Sequence, residues 1–197
     1  QRQMCIRDRI SSYWDGNRKF IEIESSRTGG FLKGEKILIV SFDLDDTLFV
    51  SPDKFKTEDE LKFPWNKVYK ERLRLGTISL MKQLKDEGIH IWIYTTSFRS
   101  ERYIRGLFLH YGIKLYSIVN GERHAKEVQG DKSEPMPSKY PSKYRIDLHI
   151  DDDVSVLQNG KLYGFKVYLV GSQDDDWTKK ILDIVHNMNR TGKASGG

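Results

Sequence analysis

Six aspartates fall in two short runs, Asp43-Leu44-Asp45-Asp46-Thr47 and Asp151-Asp152-Asp153, and each run closes an apolar stretch. A third apolar stretch closes in hydroxyls, Thr95-Thr96-Ser97, with the cation Arg99 close behind. Carboxylates gathered at one place repel: a like pair 4 Å apart costs about 4 kcal/mol at an effective dielectric of about 20. A divalent cation or a raised carboxyl pKa relieves that repulsion. Oxygen donors with no His or Cys among them suit Mg²⁺ rather than zinc. An EF-hand loop also opens Asp-x-Asp, but its sixth position needs Gly and its twelfth Glu. Here those positions hold Leu48 and Lys54.

The elements that must carry these residues alternate along the chain. Residues 36–42 are a near-continuous apolar run, the pattern of a strand buried on both faces. Leu73, Leu75, Ile78, Met81 and Leu84 then follow helical spacing up to Gly88. Residues 89–94 read as a second strand and 115–119 as a third, rich in β-branched and aromatic side chains. Between them a helix capped by Ser97 carries Tyr103, Ile104, Leu107 and Phe108 and stops at Gly112. Residues 120–143, with Pro135, Pro137 and Pro141, read as a long functional loop. Residues 146–150 form a fourth strand, and 165–170 a fifth reached through an Asn159-Gly160 turn. Asp174-Asp175-Asp176 precede a last helix that buries Trp177, Ile181, Leu182 and Val185. Alternating strands and helices predict an α/β fold, a parallel sheet with helices on both faces. In such sheets ligands sit at the carboxyl ends of the strands, where all the acids and hydroxyls above fall.

With 197 residues the chain suits one domain, and its single cysteine, Cys5, excludes a disulfide framework. The longest apolar stretch, 37–42, is far short of the roughly 20 residues of a membrane span. The net charge of +5 is compatible with anionic partners without marking a nucleic-acid binder. Residues 1–9 read as a non-native leader; setting aside Arg2, Arg7 and Arg9 against Asp8 lowers +5 to +3. They carry no secretory pattern, so the expected location is cytoplasmic. Residues 10–35 read as an N-terminal extension with a weak strand at Phe20-Ile21-Glu22-Ile23, 36–188 as the folded domain and 189–197 as a frayed tail.

An apolar strand followed by Asp-x-Asp-x-Thr, a second strand ending in Thr, a lysine ahead of the fourth strand and an acidic pair after it resemble the haloacid dehalogenase (HAD) superfamily of Mg²⁺-dependent phosphohydrolases. The segments Tyr94 to Arg99, Asn120 to His124, Lys139 to Pro141 and Asp147 to Asp152 resemble small uncharacterised bacterial members in particular. The resemblance covers 36–186. It implies a Rossmann-like core with a five-stranded parallel sheet and little or no cap domain. It further implies that Asp43 is a nucleophile forming an aspartyl-phosphate, that Asp45 protonates the leaving group and then activates water, and that Thr95 donates to the phosphoryl group. Asp43, Asp152 and the backbone carbonyl of Asp45 would hold Mg²⁺, with Asp151 or Asp153 on its waters. Lys139 would neutralise phosphate and nucleophile; Lys143, Lys126 and Lys132 lie in the same segment and compete for that role. Thr96, Arg99 and His124 would contact substrate, whereas His149 reads first as a packed residue. An acid often found a few residues further on is missing around Val156, a place Asp153 would have to fill.

The resulting expectation is a phosphomonoesterase with an accessible site, acting on a small molecule or on an exposed phosphate of a larger one. Two other readings compete. A non-catalytic relative would bind metal and serve a protein partner. A nucleic-acid end phosphatase would use Lys54, Lys56, Lys62, Lys67, Lys70, Arg72 and Arg74, interleaved with Phe55, Phe63, Trp65 and Tyr69, to grip a polyanion. A phosphoacceptor receiver module is excluded by order: its phosphorylated Asp should end strand three and its Lys strand five, where Asn120 and Gly171-Ser172 stand.

Overall fold

The computed structural model describes residues 37–194, together with Trp14–Asp15 (β1) and Arg18–Lys19 (β2). The chain divides into two units, residues 1–35 and 36–197. In the first, β1 and β2 pair antiparallel, Trp14 opposite Lys19 and Asp15 opposite Arg18. The leader at 1–9 and the strand expected at Phe20 to Ile23 lie outside the described residues.

The second unit is built on a parallel sheet of β3 (Ile39–Phe42), β4 (His90–Tyr94), β5 (Ser117–Val119), β6 (Leu148–Asp151) and β7 (Val167–Leu169). Their order is β5-β4-β3-β6-β7, with β3 at the centre. The first crossovers run to one side of β3 and the later ones to the other, so a crevice opens between the carboxyl ends of β3 and β6. Alternation along the strands divides the core. Val40, Phe42, Ile91 and Ile93 face one layer, whereas Ile39, Trp92 and Tyr94 face the other with Val128, Tyr144 and Ile146.

Among the described residues, six helices accompany the sheet: α1 (Trp65–Val68), α2 (Thr77–Asp86), α3 (Glu101–His110), α4 (Gly121–His124), α5 (Val154–Tyr163) and α6 (Trp177–Ala194). Leu80, Met81 and Leu84 of α2, Ile104, Leu107 and Phe108 of α3, and Trp177, Ile181 and Val185 of α6 cover the first layer. The second is covered by a π-helical turn at Ala125–Gln129 and a 3-10 turn at Pro141–Tyr144. Among the described residues, none of the helices is long and apolar enough to cross a membrane.

Five local expectations are corrected. The helical spacing from Leu73 is not all helix: Leu73 is extended and bridges Phe49. Gly76, at φ 91°, starts α2, and Glu58 accepts the N–H groups of Gly76 and Ile78 at 3.0 Å each, standing in for a cap. The cap of α3 is Ser100, which accepts the Tyr103 N–H, because Ser97 is held back by Arg99. Residues 120–143 are not a plain loop, since Asn120 caps α4 and the π-helical turn follows. Asn159-Gly160 is no turn but part of α5; a Cβ at Gly160 would stand 2.7 Å from the Phe165 carbonyl oxygen, so glycine there serves close packing against the next strand. The last helix also runs on to Ala194, past the expected fraying point.

Candidate active site

Asp43 leaves the end of β3 and donates its backbone N–H to the Ile150 carbonyl at 2.9 Å, which ties it to β6. Its carboxylate is 8% exposed and faces the ammonium of Lys139, with Nζ 2.8 Å from Oδ1. The same ammonium lies 2.5 Å from Oδ2 of Asp151, the last residue of β6. Asp43, Asp151 and Asp152 bring one carboxylate oxygen each within 4.8 Å of one another. Asp152 is fixed by Thr47, whose hydroxyl donates to Oδ1 at 2.7 Å. The turn between these residues is tight: Leu48 and Phe49 both donate to the Leu44 carbonyl, and Asp46 takes φ 60°.

Burial and charge act unequally on these carboxyls. Burial pushes Asp43 up to about 7; Lys139 opposes the rise and Asp151 adds to it. Asp151 feels the same burial, but its bonds to His149 and Lys139 outweigh it and hold the group down at about 2. Asp152 is raised, chiefly by burial, against the Thr47 hydrogen bond. Burial would lower Lys139, but Asp43 and Asp151 raise it above the usual lysine range, so it stays charged. Three carboxylates against one ammonium leave an excess of negative charge. Oδ1 of Asp43 is buried, and the donor it meets is the Lys139 ammonium. Hard oxygen donors that converge and surplus negative charge fit a divalent cation held by Asp43 and Asp152. Asp151 already accepts Lys139 and His149 on Oδ2 and the Asp153 N–H on Oδ1, so it serves first as the anchor of the lysine.

Of the four lysines of this segment, Lys139 is the one at the cluster. Lys143 donates to the Glu127 carbonyl, Lys132 to the Val128 carbonyl at 2.9 Å, and Lys126 is exposed. Asp45 belongs to a second group at the rim. Its Oδ2 accepts from Arg99 at 2.9 Å, and Arg99 also donates to Glu71 at 3.1 Å and to the Ser97 hydroxyl at 2.8 Å. Thr95 is buried at the end of β4, where its hydroxyl accepts the Ser97 N–H at 3.1 Å; Thr96 is exposed. His124 stands apart from the carboxylates, 2.7 Å from the Tyr94 hydroxyl. Asp153 caps α5 by accepting the Ser155 N–H at 2.7 Å. Of the basic segment 54–74, Arg72 and Arg74 turn inward, onto Glu60, Thr57 and Glu58 and onto the Gly171 and Asp174 carbonyls respectively.

Four residues that hold the site together are not among the candidate catalytic, metal or substrate residues of the sequence. Thr47 closes the Asp-x-Asp-x-Thr run, and that motif was the signal for it. His149 shares strand parity with Asp151, which placed it under the site without showing its bonds. Glu71 and Asn120 hold Arg99, the latter by donating to its carbonyl at 3.0 Å. Glu71 has no local signal, and Asn120 is marked only as the first residue of the Asn120 to His124 segment, because both contacts join distant parts of the chain.

Solved structures to which this chain is similar include a hydrolase from Streptococcus pneumoniae, with 16% identity and a TM-score of 0.47 over 75% of this chain and 99% of that one. A HAD-superfamily hydrolase of subfamily IA, variant 1, from Geobacter sulfurreducens gives 13%, 0.43, 68% and 89% for the same measures. A D,D-heptose 1,7-bisphosphate phosphatase from B. bronchiseptica, complexed with magnesium and phosphate, gives 14%, 0.42, 68% and 80%. No family profile and no curated protein matches the sequence.

Proposed function

We propose that the protein is a Mg²⁺-dependent phosphomonoesterase of the haloacid dehalogenase type, working through an aspartyl-phosphate on Asp43. The observation that carries this reading is the Lys139 ammonium, 2.8 Å from Asp43 and 2.5 Å from Asp151, beside a third carboxylate at the switch point of a parallel sheet. A buried carboxylate faced by one cation and crowded by others is arranged for a reaction partner that brings positive charge with it. Asp43, Asp152 and the carbonyl of Asp45 would hold the cation, with Asp151 on its waters. A bound Mg²⁺ supplies charge neutralisation of the carboxylates and of the phosphoryl oxygens.

The chain's own residues divide the rest of the work. The Asp43 carboxylate attacks phosphorus, and the bond from phosphorus to the leaving oxygen breaks. Asp45 gives that oxygen its proton, then takes one from a water whose oxygen attacks the phosphorus, releasing phosphate and restoring Asp43. Lys139 balances charge on the phosphoryl oxygens, and Thr95 donates to one of them. Thr96, Arg99 and His124 are the proposed substrate contacts. Between β3 and β4 the chain forms only α1, α2 and irregular segments, which supports an open site and a substrate whose bulk stays in solvent. The proposed setting is the cytoplasm.

The test is release of phosphate from para-nitrophenyl phosphate with Mg²⁺ and with chelator. Turnover is expected only with the metal, and Asp43→Asn should remove it by on the order of 10⁴-fold or more. Silence of the wild type across a broad panel of phosphate esters, with the cation still bound, would overturn hydrolysis in favour of a metal-binding interaction protein.

A further inference from the structure

His149 takes no part in those steps, yet it is wholly buried and touches the anchor of the site. It lies opposite Ser41 in the β3–β6 ladder, so the two side chains share a face. Its Nδ1 is 2.8 Å from the Ser41 hydroxyl, and its Nε2 is 2.8 Å from Oδ2 of Asp151. That same Oδ2 takes the Lys139 ammonium at 2.5 Å, while Oδ1 takes the Asp153 N–H at 2.9 Å. A carboxylate only accepts hydrogen bonds, so Nε2 must carry the ring hydrogen. In the neutral ring Nδ1 is then an acceptor, and the Ser41 hydroxyl must donate to it. The donors therefore run in one direction, from Ser41 through His149 to Asp151, where Lys139 arrives from the other side.

A central strand position buried on both faces normally holds an apolar side chain, as Leu148 and Ile150 do here. A hydrogen-bonded histidine there adds little net stability over a well-packed apolar group. It does fix direction. With two donors on one oxygen and one on the other, the Asp151 carboxylate cannot rotate, and the ammonium bound to it is aimed at Asp43. We propose that His149 is a positioning residue: it locks Asp151 and thereby clamps Lys139 against the nucleophile, with Ser41 selecting the ring tautomer that allows this. The inference rests on the phosphomonoesterase reading for its catalytic consequence and on the hydrogen-bond chain for its structural content.

The experiment uses the full chain with para-nitrophenyl phosphate and Mg²⁺, with the melting temperature of each variant measured alongside. His149→Leu should lower kcat by about 10- to 100-fold, the usual size for loss of a group behind a site ligand, with KM changed less than about threefold. His149→Gln, whose amide nitrogen can reach Asp151, should recover most of that loss, and Ser41→Ala should cost less than His149→Leu. If Leu matches wild type, or if Gln is no better than Leu at equal stability, the clamp is wrong. Nitrogen-15 spectra give a readout without turnover: the wild-type ring should carry its proton on Nε2, and a proton on Nδ1 alone would overturn the proposal. The Lys139 ammonium signal should be sharp in wild type, broadened by His149→Leu and restored by His149→Gln. A wild type that gives those spectra but is silent across the broad panel of phosphate esters would sink the phosphomonoesterase reading and leave the clamp as structure alone.

Discussion

Two cations in this fold are equally buried and do opposite things. Lys139 and Arg74 are each 4% exposed. Arg74 donates to the carbonyls of Gly171 and Asp174 at 2.9 and 3.0 Å and lies between the rings of Phe55 and Trp177, 5.1 and 5.3 Å from their centroids. Its partners are mostly neutral, so burial dominates and lowers its pKa, although Asp174 and Asp175 act against it. Lys139 has carboxylate partners on the ends of two strands, and its pKa rises despite burial. The neutral arrangement stitches the insert after β3 to the chain after β7. The charged one faces a carboxylate, Asp43, that burial pushes up to about 7 against the pull of the lysine. Burial alone therefore does not set the state of a buried cation; the charge and ionisation of its partners do.

The sharpest way to break the comparison is to remove each positive charge in turn. Lys139→Met should cut turnover by about 10²- to 10³-fold, the usual loss when one electrostatic stabiliser of a transition state is removed. Its effect on stability should be smaller than that of a typical broken buried pair, about 3–5 kcal/mol. Asp43 is already raised and can take up a proton in place of the lysine. Arg74→Met should do the reverse. It removes two hydrogen bonds and the packing of the guanidinium on Phe55 and Trp177, and should cost about 1–3 kcal/mol in denaturant unfolding. Turnover per folded molecule should stay unchanged. A large kinetic defect in Arg74→Met, or none in Lys139→Met, would erase the distinction.

Asp45 and Arg99 form an exposed counterpart to the buried pair. Both side chains are partly open to solvent, at 49% and 31%, so the ion pair contributes little to stability. What Arg99 offers is direction, because it holds one oxygen of Asp45 while Glu71 and Ser97 hold the guanidinium. Arg99→Gln should lower kcat/KM by about 3- to 30-fold, with the melting temperature unmoved. A loss as large as that of Lys139→Met would make Arg99 a main charge carrier instead.

Fold and site were legible to different depths for physical reasons. The strands could be read because a β-branched or aromatic run buried on both faces leaves a continuous signal, and the acids could be read because they close those runs. Lys139 stood among rivals because a lysine in a Pro-containing segment looks the same whether it is solvated or swung into the core. Its position depends on the Tyr94 hydroxyl accepting the Tyr140 N–H at 2.8 Å, a contact between residues 46 positions apart. Gly160 misread as a turn shows the same limit: the reason for a glycine there is the approach of Phe165 and Val167, which composition does not record.

That Tyr94 contact leads to the smallest effect expected. Tyr94 accepts from Tyr140, so its own hydroxyl hydrogen is free to go to Nδ1 of His124, 2.7 Å away, which requires a neutral ring there. Burial, the larger influence, and the nearby Lys143 both lower the pKa of His124 below 6.5. Over the interval between the folded and unfolded values, the unfolded chain binds more protons than the folded one, so this group's contribution to stability rises with pH. It is fully present above about pH 6.5 and is lost as pH falls through that value toward the folded pKa. His124→Gln cannot titrate. The difference in unfolding free energy between wild type and His124→Gln should therefore be constant from pH 7 to 8 and shift against wild type as pH falls from 7 to 5. Comparing the two proteins cancels the titration of the carboxyls and of His149, which both share. A difference independent of pH would mean that the ring is not held neutral, and that Tyr94 steadies the segment bearing Lys139 without it.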